Sequence, residues 1–439
     1  MLLAKENEDR KPSALIYILA ALPTFDCILN QINTAFQIEF GPLSLLQVVR
    51  GIVLVLLATV LLWNLAEPEA KLTGLHLCAF GGLAFIAIAL SKEGIVSGSV
   101  AMSSVGSYGQ FAYWLVVGMV VASICRTRRE AMILLYGIAT GALATALSIF
   151  IGYFFGGLNP YQDDDVTASA GWFHTAKTIT GVLLTGGVVV LYLGKKSKSW
   201  WSTILAGLCF VACIMTYARA GLVALGAAIA WLAFWWIVLG RGHRRQWLSK
   251  ILLATVLLAG ISVPALIRSQ SWQSRWGDIE DPDKAGSGRA TFWRIALENY
   301  SAGGTSEHIF GFGYSGMADL LLRGYGDDIK HTHNDFLDSM LVGGTVGMFW
   351  LVCWITYLFS KTVSISLSTL EGASAATIVL IYIVHGQFTG QLFGTDSMTY
   401  YVISLTCLYQ IASLRGSDDA KDEEPASASR SYGLVTALS

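Results

Sequence analysis

Charge is what this chain has least of. Only 13% of its 439 residues are Asp, Glu, Lys or Arg, while 54% are hydrophobic, and the mean hydropathy is +0.56. A soluble domain carries about 25% charged residues. A chain this poor in charge cannot cover its surface in water, which excludes a soluble enzyme and indicates an all-α integral membrane protein. No nucleic-acid partner is expected.

Other absences narrow the class further. The seven cysteines all lie in apolar stretches, so no disulfide framework is implied and they read as small core residues. No internal period suggests a solenoid. No phosphate-binding loop of the type G-x-x-x-x-G-K-[ST] occurs, which argues against an ATP-driven pump. The first apolar run follows Lys5, Arg10 and Lys11 but has no small-x-small cleavage site, so it reads as a retained helix rather than a signal peptide.

What is present is a series of apolar runs near the ~20 residues needed to cross a bilayer. They fall at 14–32, 43–63, 72–91, 107–125, 131–155, 174–194, 200–218, 220–239, 249–268, 336–359, 372–390 and 396–413, and predict about twelve transmembrane helices. Lysine and arginine bias sets the orientation. With the N-terminus inside, the loops RTRRE (126–130), GKKSKS (194–199) and RGHRRQWLSK (241–250) are all cytoplasmic and all basic, whereas YQDDDV (161–166) is outside and acidic. The expected organisation is a transmembrane bundle over 1–268, a periplasmic cap loop over 269–335, three further spans over 336–413, and a disordered acidic cytoplasmic tail over 414–439.

The long loop between the ninth and tenth spans is expected to be partly folded. ATFWRIALENY (290–300) puts Trp293, Leu297 and Tyr300 on one helical face and pairs Arg294 with Glu298 at i,i+4. MADLLLRG (317–324) reads as a second short helix, and the glycine-aromatic stretch FGFGYSG lies between the two.

Several cations sit at one predicted level, on the outer face. Arg219, in TYARAGL, occupies the short turn between the seventh and eighth spans. Arg289, in GSGRATFW, opens the first cap helix, where the macrodipole opposes a cation unless an anion binds there too. Arg50 lies inside the second span, and His174 and Lys177 open the sixth. Each arginine has a plainer reading as an interfacial or solvated side chain. Together they suit an anionic ligand at headgroup depth, such as a diphosphate on a long lipid, which arginine's planar fork binds bidentately.

The densest titratable stretch is HTHND, 331–335, immediately before the tenth span. Asn334 or Asp335 suits a helix N-cap. Two imidazoles from His331 and His333 suggest a metal site, but zinc needs further ligands. A neutral imidazole also serves as a general base toward a hydroxyl, with Asp335 or Asp338 orienting the ring.

The many-spanning bundle, the late outer loop with G-R-x-x-x-W, and H-x-H-N-[DE] leading into a helix with G-G-x-x-G together resemble the O-antigen ligase family and the wider superfamily that includes polysaccharide polymerases. The resemblance implies an inverting glycosyltransferase of the bacterial inner membrane with its active site facing the periplasm. It would move a glycan from undecaprenyl diphosphate to an acceptor sugar hydroxyl without metal or other cofactor. His333 would be the base, and Arg219 and Arg289 would bind the diphosphate, with His331, Asn334, Asp335, Arg50, His174 and Lys177 in support. The acceptor would be another lipid-linked repeat unit in an exopolysaccharide or O-antigen polymerase, or the lipopolysaccharide core in a ligase. The first is favoured by the compact cap. Trp272, Trp276 and Trp293 are candidates for stacking on sugars, or for anchoring and cap packing. Gly343 and Gly347 form a G-x-x-x-G that predicts close packing under the site. A multi-spanning transporter or flippase is the competing class, opposed by the lack of two-halved symmetry.

Overall fold

The computed structural model of the chain describes residues 12–36, 39–40, 43–67, 72–98, 100–155, 160–163, 166–169, 176–216, 218–235, 289–325, 331–365, 367, 369–394 and 396–432. The described residues are overwhelmingly helical. In chain order the helices are α1 (Ala14–Phe36), α2 (Leu45–Ala66), α3 (Gly74–Ser97), α4 (Met102–Ile124), α5 (Arg128–Phe155), α6 (Ala176–Ser197), α7 (Trp201–Met215) and α8 (Arg219–Phe234). They continue with α9 (Arg289–Ala302), α10 (Thr305–Phe310), α11 (Gly313–Tyr325), α12 (Asp335–Ser364), α13 (Leu370–Thr389) and α14 (Asp396–Tyr432). Among the described residues, seven helices are long and apolar enough to cross a membrane, and Ala14–Leu29 of α1, α7 and α8 are shorter apolar helices.

Each predicted span with described residues is occupied by one helix, while 249–268 lies outside them. Two features add to the all-helical expectation. Short antiparallel pairs join β1 (Glu39–Phe40) to β2 (Leu43–Ser44) and β3 (Pro160–Asp163) to β4 (Val166–Ser169). The backbone of α14 also stays helical to Tyr432, through the segment where composition predicts disorder.

Local chemistry starts the helices where they begin. Ser44 and Gln47 form a reciprocal capping box on α2, with Ser44 Oγ accepting the Gln47 N–H at 3.3 Å and Gln47 Oε1 accepting the Ser44 N–H at 3.0 Å. Thr369 caps α13 through the Gly372 N–H at 3.0 Å. The middle of the bundle is aromatic. Phe111 of α4 packs on Trp350 of α12 with ring centroids 5.0 Å apart, and Trp114 on Trp354 at 5.5 Å. Two of the indole N–H groups are directed at backbone carbonyls: Trp114 donates to Leu392 at 3.0 Å and Trp350 to Cys78 at 2.9 Å.

The cap helices α9–α11 are seated by the end of α3. Lys92 Nζ donates to the Gly311 carbonyl and reaches Glu307 Oε1 at 3.4 Å. Buried Glu93 accepts the Ser315 N–H at 2.6 Å, the Ser315 hydroxyl, and the Ser104 hydroxyl at 2.9 Å. A carboxylate taking N–H bonds in the first turn of α11 also meets the positive end of that helix. Within the cap, the buried face of α9 is Phe292, Ile295 and Ala296, not the predicted Trp293–Leu297–Tyr300 stripe, and Leu297 is exposed. Packing decides the offset, because Gly324 of α11 lies directly against the Ile295 side chain. The Arg294–Glu298 pair forms as predicted, at 3.3 Å on the exposed side.

α12 is broken at Gly344, whose φ of 58° and ψ of −145° are not helical. The cap backbone fills the break. The Phe312 N–H donates to the Leu341 carbonyl at 2.6 Å, and Thr345 Oγ1 donates to the His308 carbonyl at 2.9 Å. A Cβ on Gly344 would lie 2.6 Å from Gly311 N and from His308 O. The glycine-rich stretch of α12 thus serves close packing, as predicted, but with the cap as well as with Phe85.

Gly344→Ala is expected to cost about 1–3 kcal/mol through overpacking and an unfavourable backbone angle. Thermal unfolding in detergent should show a clearly lowered midpoint. Gly226→Ala, on an open face of α8 with nothing within 4 Å, should show none.

Candidate functional site

The site forms where three helix starts meet the end of a fourth helix. Arg219 is the first residue of α8, Arg289 the first of α9, and Asp335 the first of α12. Gln387–Leu392, at the end of α13 and the turn after it, closes the arrangement. Helix starts leave backbone N–H groups without helical partners and carry positive potential.

Asn334 is the N-cap of α12, with Oδ1 accepting the Phe336 N–H at 2.9 Å and the Leu337 N–H at 3.2 Å. Its amide Nδ2 donates to Gln387 Oε1 at 3.2 Å and to the Gln387 carbonyl at 3.3 Å, which joins the cap to α13. Asp335 is turned the other way. Its Oδ1 accepts the Gln391 N–H at 2.5 Å and the Leu392 N–H at 3.0 Å, so it braces the α13–α14 turn rather than either histidine.

Asp338, one turn on, is the carboxylate that meets the histidine stretch. Its Oδ1 accepts both the N–H and the hydroxyl of Thr332 at 2.7 Å, and its Oδ2 lies 3.8 Å from His331 Nδ1. The His331 and His333 rings are edge-on, with centroids 4.2 Å apart. The His333 N–H points at His331 Nδ1 at 3.3 Å, a contact that requires Nδ1 to carry a lone pair. The Asp338 contact gains strength when Nδ1 carries a proton, so the two describe different protonation states of that nitrogen. His333 itself has φ of +59°. That conformation costs a non-glycine residue roughly 1–3 kcal/mol and persists where surrounding contacts enforce it, commonly at functional sites.

Arg289 is 8% exposed, and its Nε donates to the Phe388 carbonyl at 3.0 Å. Burial, and next the like charge of Arg219, push its pKa down to about 10. The charge of Arg219 thus reaches Arg289 across the start of α9. Phe292, one turn along α9, packs near the His333 ring with centroids 6.2 Å apart. Trp293 donates its indole N–H to the Thr332 carbonyl at 3.1 Å and packs near Phe388, so it supports the turn from within the cap.

Arg50 stands apart from this group. It is buried in α2 and ion-paired with Asp26 at 3.5 Å and with Asp396. Its charge is matched by these two carboxylates. His174, Trp272 and Trp276 lie outside the described residues, and no side chain is described at Lys177. Sequence reasoning missed Gln387, the Phe388 carbonyl and Gly390, and gave Asp338 only as an alternative to Asp335. Gln387 and Phe388 end an apolar helix and carry no local signal of a site. Among the described residues, no group of three or more His, Cys, Asp or Glu side chains is placed to hold a metal ion. A cavity of about 350 Å³ lined by Thr73, Trp354, Tyr357, Lys361 and Tyr409 sits at the far end of α12 and holds none of these groups.

The family model for O-antigen ligase matches residues 203–352, which include α8, the cap, the histidine turn and the broken half of α12. No curated protein sequence matches the chain.

Asn334→Ala removes the cap of α12 and is expected to cost about 0.5–2 kcal/mol. Hydrogen exchange should show faster exchange at the Phe336 and Leu337 amides. Asn334→Asp should restore that protection, because it keeps the accepting oxygen, while lacking the amide that donates to Gln387.

Proposed function

On a chain that belongs to the O-antigen ligase/polymerase superfamily, we propose that the protein is a metal-independent, inverting glycosyltransferase that takes its glycan from an undecaprenyl-diphosphate donor. The observation that carries this reading is the His331–His333 turn with Phe292 of α9 against the His333 ring, and Arg289 at the start of the same helix, buried, bonded to the Phe388 carbonyl and within reach of the charge of Arg219. Two such arginines suit a diphosphate, whose oxygens accept from both guanidinium forks. In this proposal twelve spans cross the inner membrane, both termini are cytoplasmic, and the site faces the periplasm, where the cap covers it.

The chemistry is a single displacement. His333 takes the proton of the acceptor hydroxyl as that oxygen attacks the anomeric carbon from the face opposite the diphosphate. The bond from the anomeric carbon to the diphosphate oxygen breaks, and the new glycosidic bond carries inverted configuration. Arg219 and Arg289 stabilise the charge that grows on the departing diphosphate. The proton on His333 then leaves to water. Arg289's burial strengthens its attraction for an anion, since screening by water is reduced.

The acceptor is a sugar hydroxyl, and we place the protein among the repeat-unit polymerases, whose acceptor is a second lipid-linked glycan. A deletion strain distinguishes this from ligation. Accumulation of lipid-linked single repeats supports polymerisation, and accumulation of long lipid-linked chains supports transfer to the lipopolysaccharide core.

His333→Ala should lower transfer by about 10²–10⁴ while the protein still inserts and folds. His331→Ala should be milder. Arg289→Ala should weaken donor binding as well as turnover, and Arg289→Lys should recover little, because the charge stays and the bidentate fork is lost. Purified enzyme assayed with lipid-linked donor checks all four, and a well-folded, fully active His333 variant would falsify the assignment of the base. Transfer should also survive excess chelator. Loss of activity in EDTA with recovery on one divalent ion would replace the base by a ligand set.

A further inference from the structure

We infer that Asp338 is the positioning residue of the site: its carboxylate holds the His331–Thr332–His333 turn and sets the charge of the imidazole pair, and Gly390 keeps the space that this requires. The inference rests on the proposed reading of His333 as the base. Asp338 is 1% exposed and lies in the first turn of α12. One of its oxygens takes two hydrogen bonds from Thr332, the residue between the histidines, and the other faces His331 Nδ1. Thr332 is anchored on its other side by the Trp293 indole, which donates to its carbonyl at 3.1 Å. With Thr332 fixed at the middle and Asn334 fixed as the cap, the backbone between them has one residue in which to turn. That residue is His333, and it takes the left-handed conformation.

Gly390 packs against the same carboxylate. A Cβ there would lie 2.8 Å from Asp338 Oδ2 and 2.8 Å from His331 Nδ1, and the residue has φ of +62°. A side chain at 390 would enter the gap between the carboxylate and the ring. Among the described residues, the other charged or titratable groups around the pair are engaged with other partners or cationic. Asp335 is bonded to the Gln391 and Leu392 N–H groups, and His385 of α13 meets the Thr180 and Tyr401 hydroxyls. Arg219 and Arg289 contribute positive charge from α8 and α9. Among the described residues Asp338 is therefore the carboxyl group that faces the imidazoles, and its ionised form favours a proton on them, against the two arginines that disfavour it.

The test is a set of pH–rate profiles with purified full-length protein and lipid-diphosphate-linked glycan. Wild type should lose activity as pH falls through the first protonation of the imidazole pair, near ~6.5 for an ordinary histidine. Asp338→Asn keeps an oxygen for Thr332 and removes the charge, so the acid limb should move to lower pH with at most a few-fold loss at the plateau. Asp338→Ala loses both functions and should drop kcat at least tenfold, with a smaller effect on KM for the donor. Gly390→Ala should show the same loss, whereas Gly394→Ala, whose nearest contact would be 3.4 Å away, should match wild type. An acid limb unmoved in Asp338→Asn, or full activity in Asp338→Ala, overturns the inference. If instead His333→Ala keeps full activity, the reading of the base fails, and that outcome is separate because it leaves the Asp338 profiles as measured.

Discussion

Two buried carboxylates in the first turn of α12 hold this site together. Asp335 and Asp338 are 3% and 1% exposed, at a depth where an unsatisfied acceptor is costly. Both are supplied with donors, and the donors come from different places. Asp335 collects backbone N–H groups from the turn after α13, and Asp338 collects the N–H and hydroxyl of Thr332. The need to satisfy these groups becomes a constraint on geometry. It ties the α13–α14 turn and the histidine turn to one helix end, so that neither can shift without exposing a charge-bearing oxygen to an apolar surround.

The same logic seats the cap. A lysine and a glutamate at the end of an apolar helix ordinarily reach for water. Here Lys92 and Glu93 reach carbonyls, N–H groups and hydroxyls of the cap instead. The break in α12 at Gly344 frees backbone groups in the middle of a span, and the cap backbone meets them at Leu341 and Thr345. The cap is thereby attached to α3 and to α12, the helix whose start carries Asn334, Asp335 and Asp338. The start of α9, which carries Arg289, is positioned by that attachment rather than by contacts of the arginine alone. The bond from Arg289 to the Phe388 carbonyl then completes a ring of links through Gln387 and Asn334 back to α12.

Sequence alone determined the class of the protein, the positions of the apolar helices that are described, a cap at Asn334 or Asp335, Arg219 in the turn before the eighth span, and Arg289 at the start of a cap helix. These are local properties: hydropathy over ~20 residues, the capping preferences of one side chain, and the periodicity of a single helix. The tertiary structure decided which of those residues meet. Arg50 pairs with Asp26 and Asp396, 24 and 346 positions away. Asp335 and Asp338 are three residues apart and chemically equivalent in sequence, yet Asp335 meets the turn after α13 and Asp338 meets Thr332 and His331, because at i and i+3 they sit at different heights along the helix and meet different neighbours. The buried face of α9 was likewise set by its partner α11. No local pattern specifies such pairings, because the energy of a buried contact depends on what packing brings opposite it.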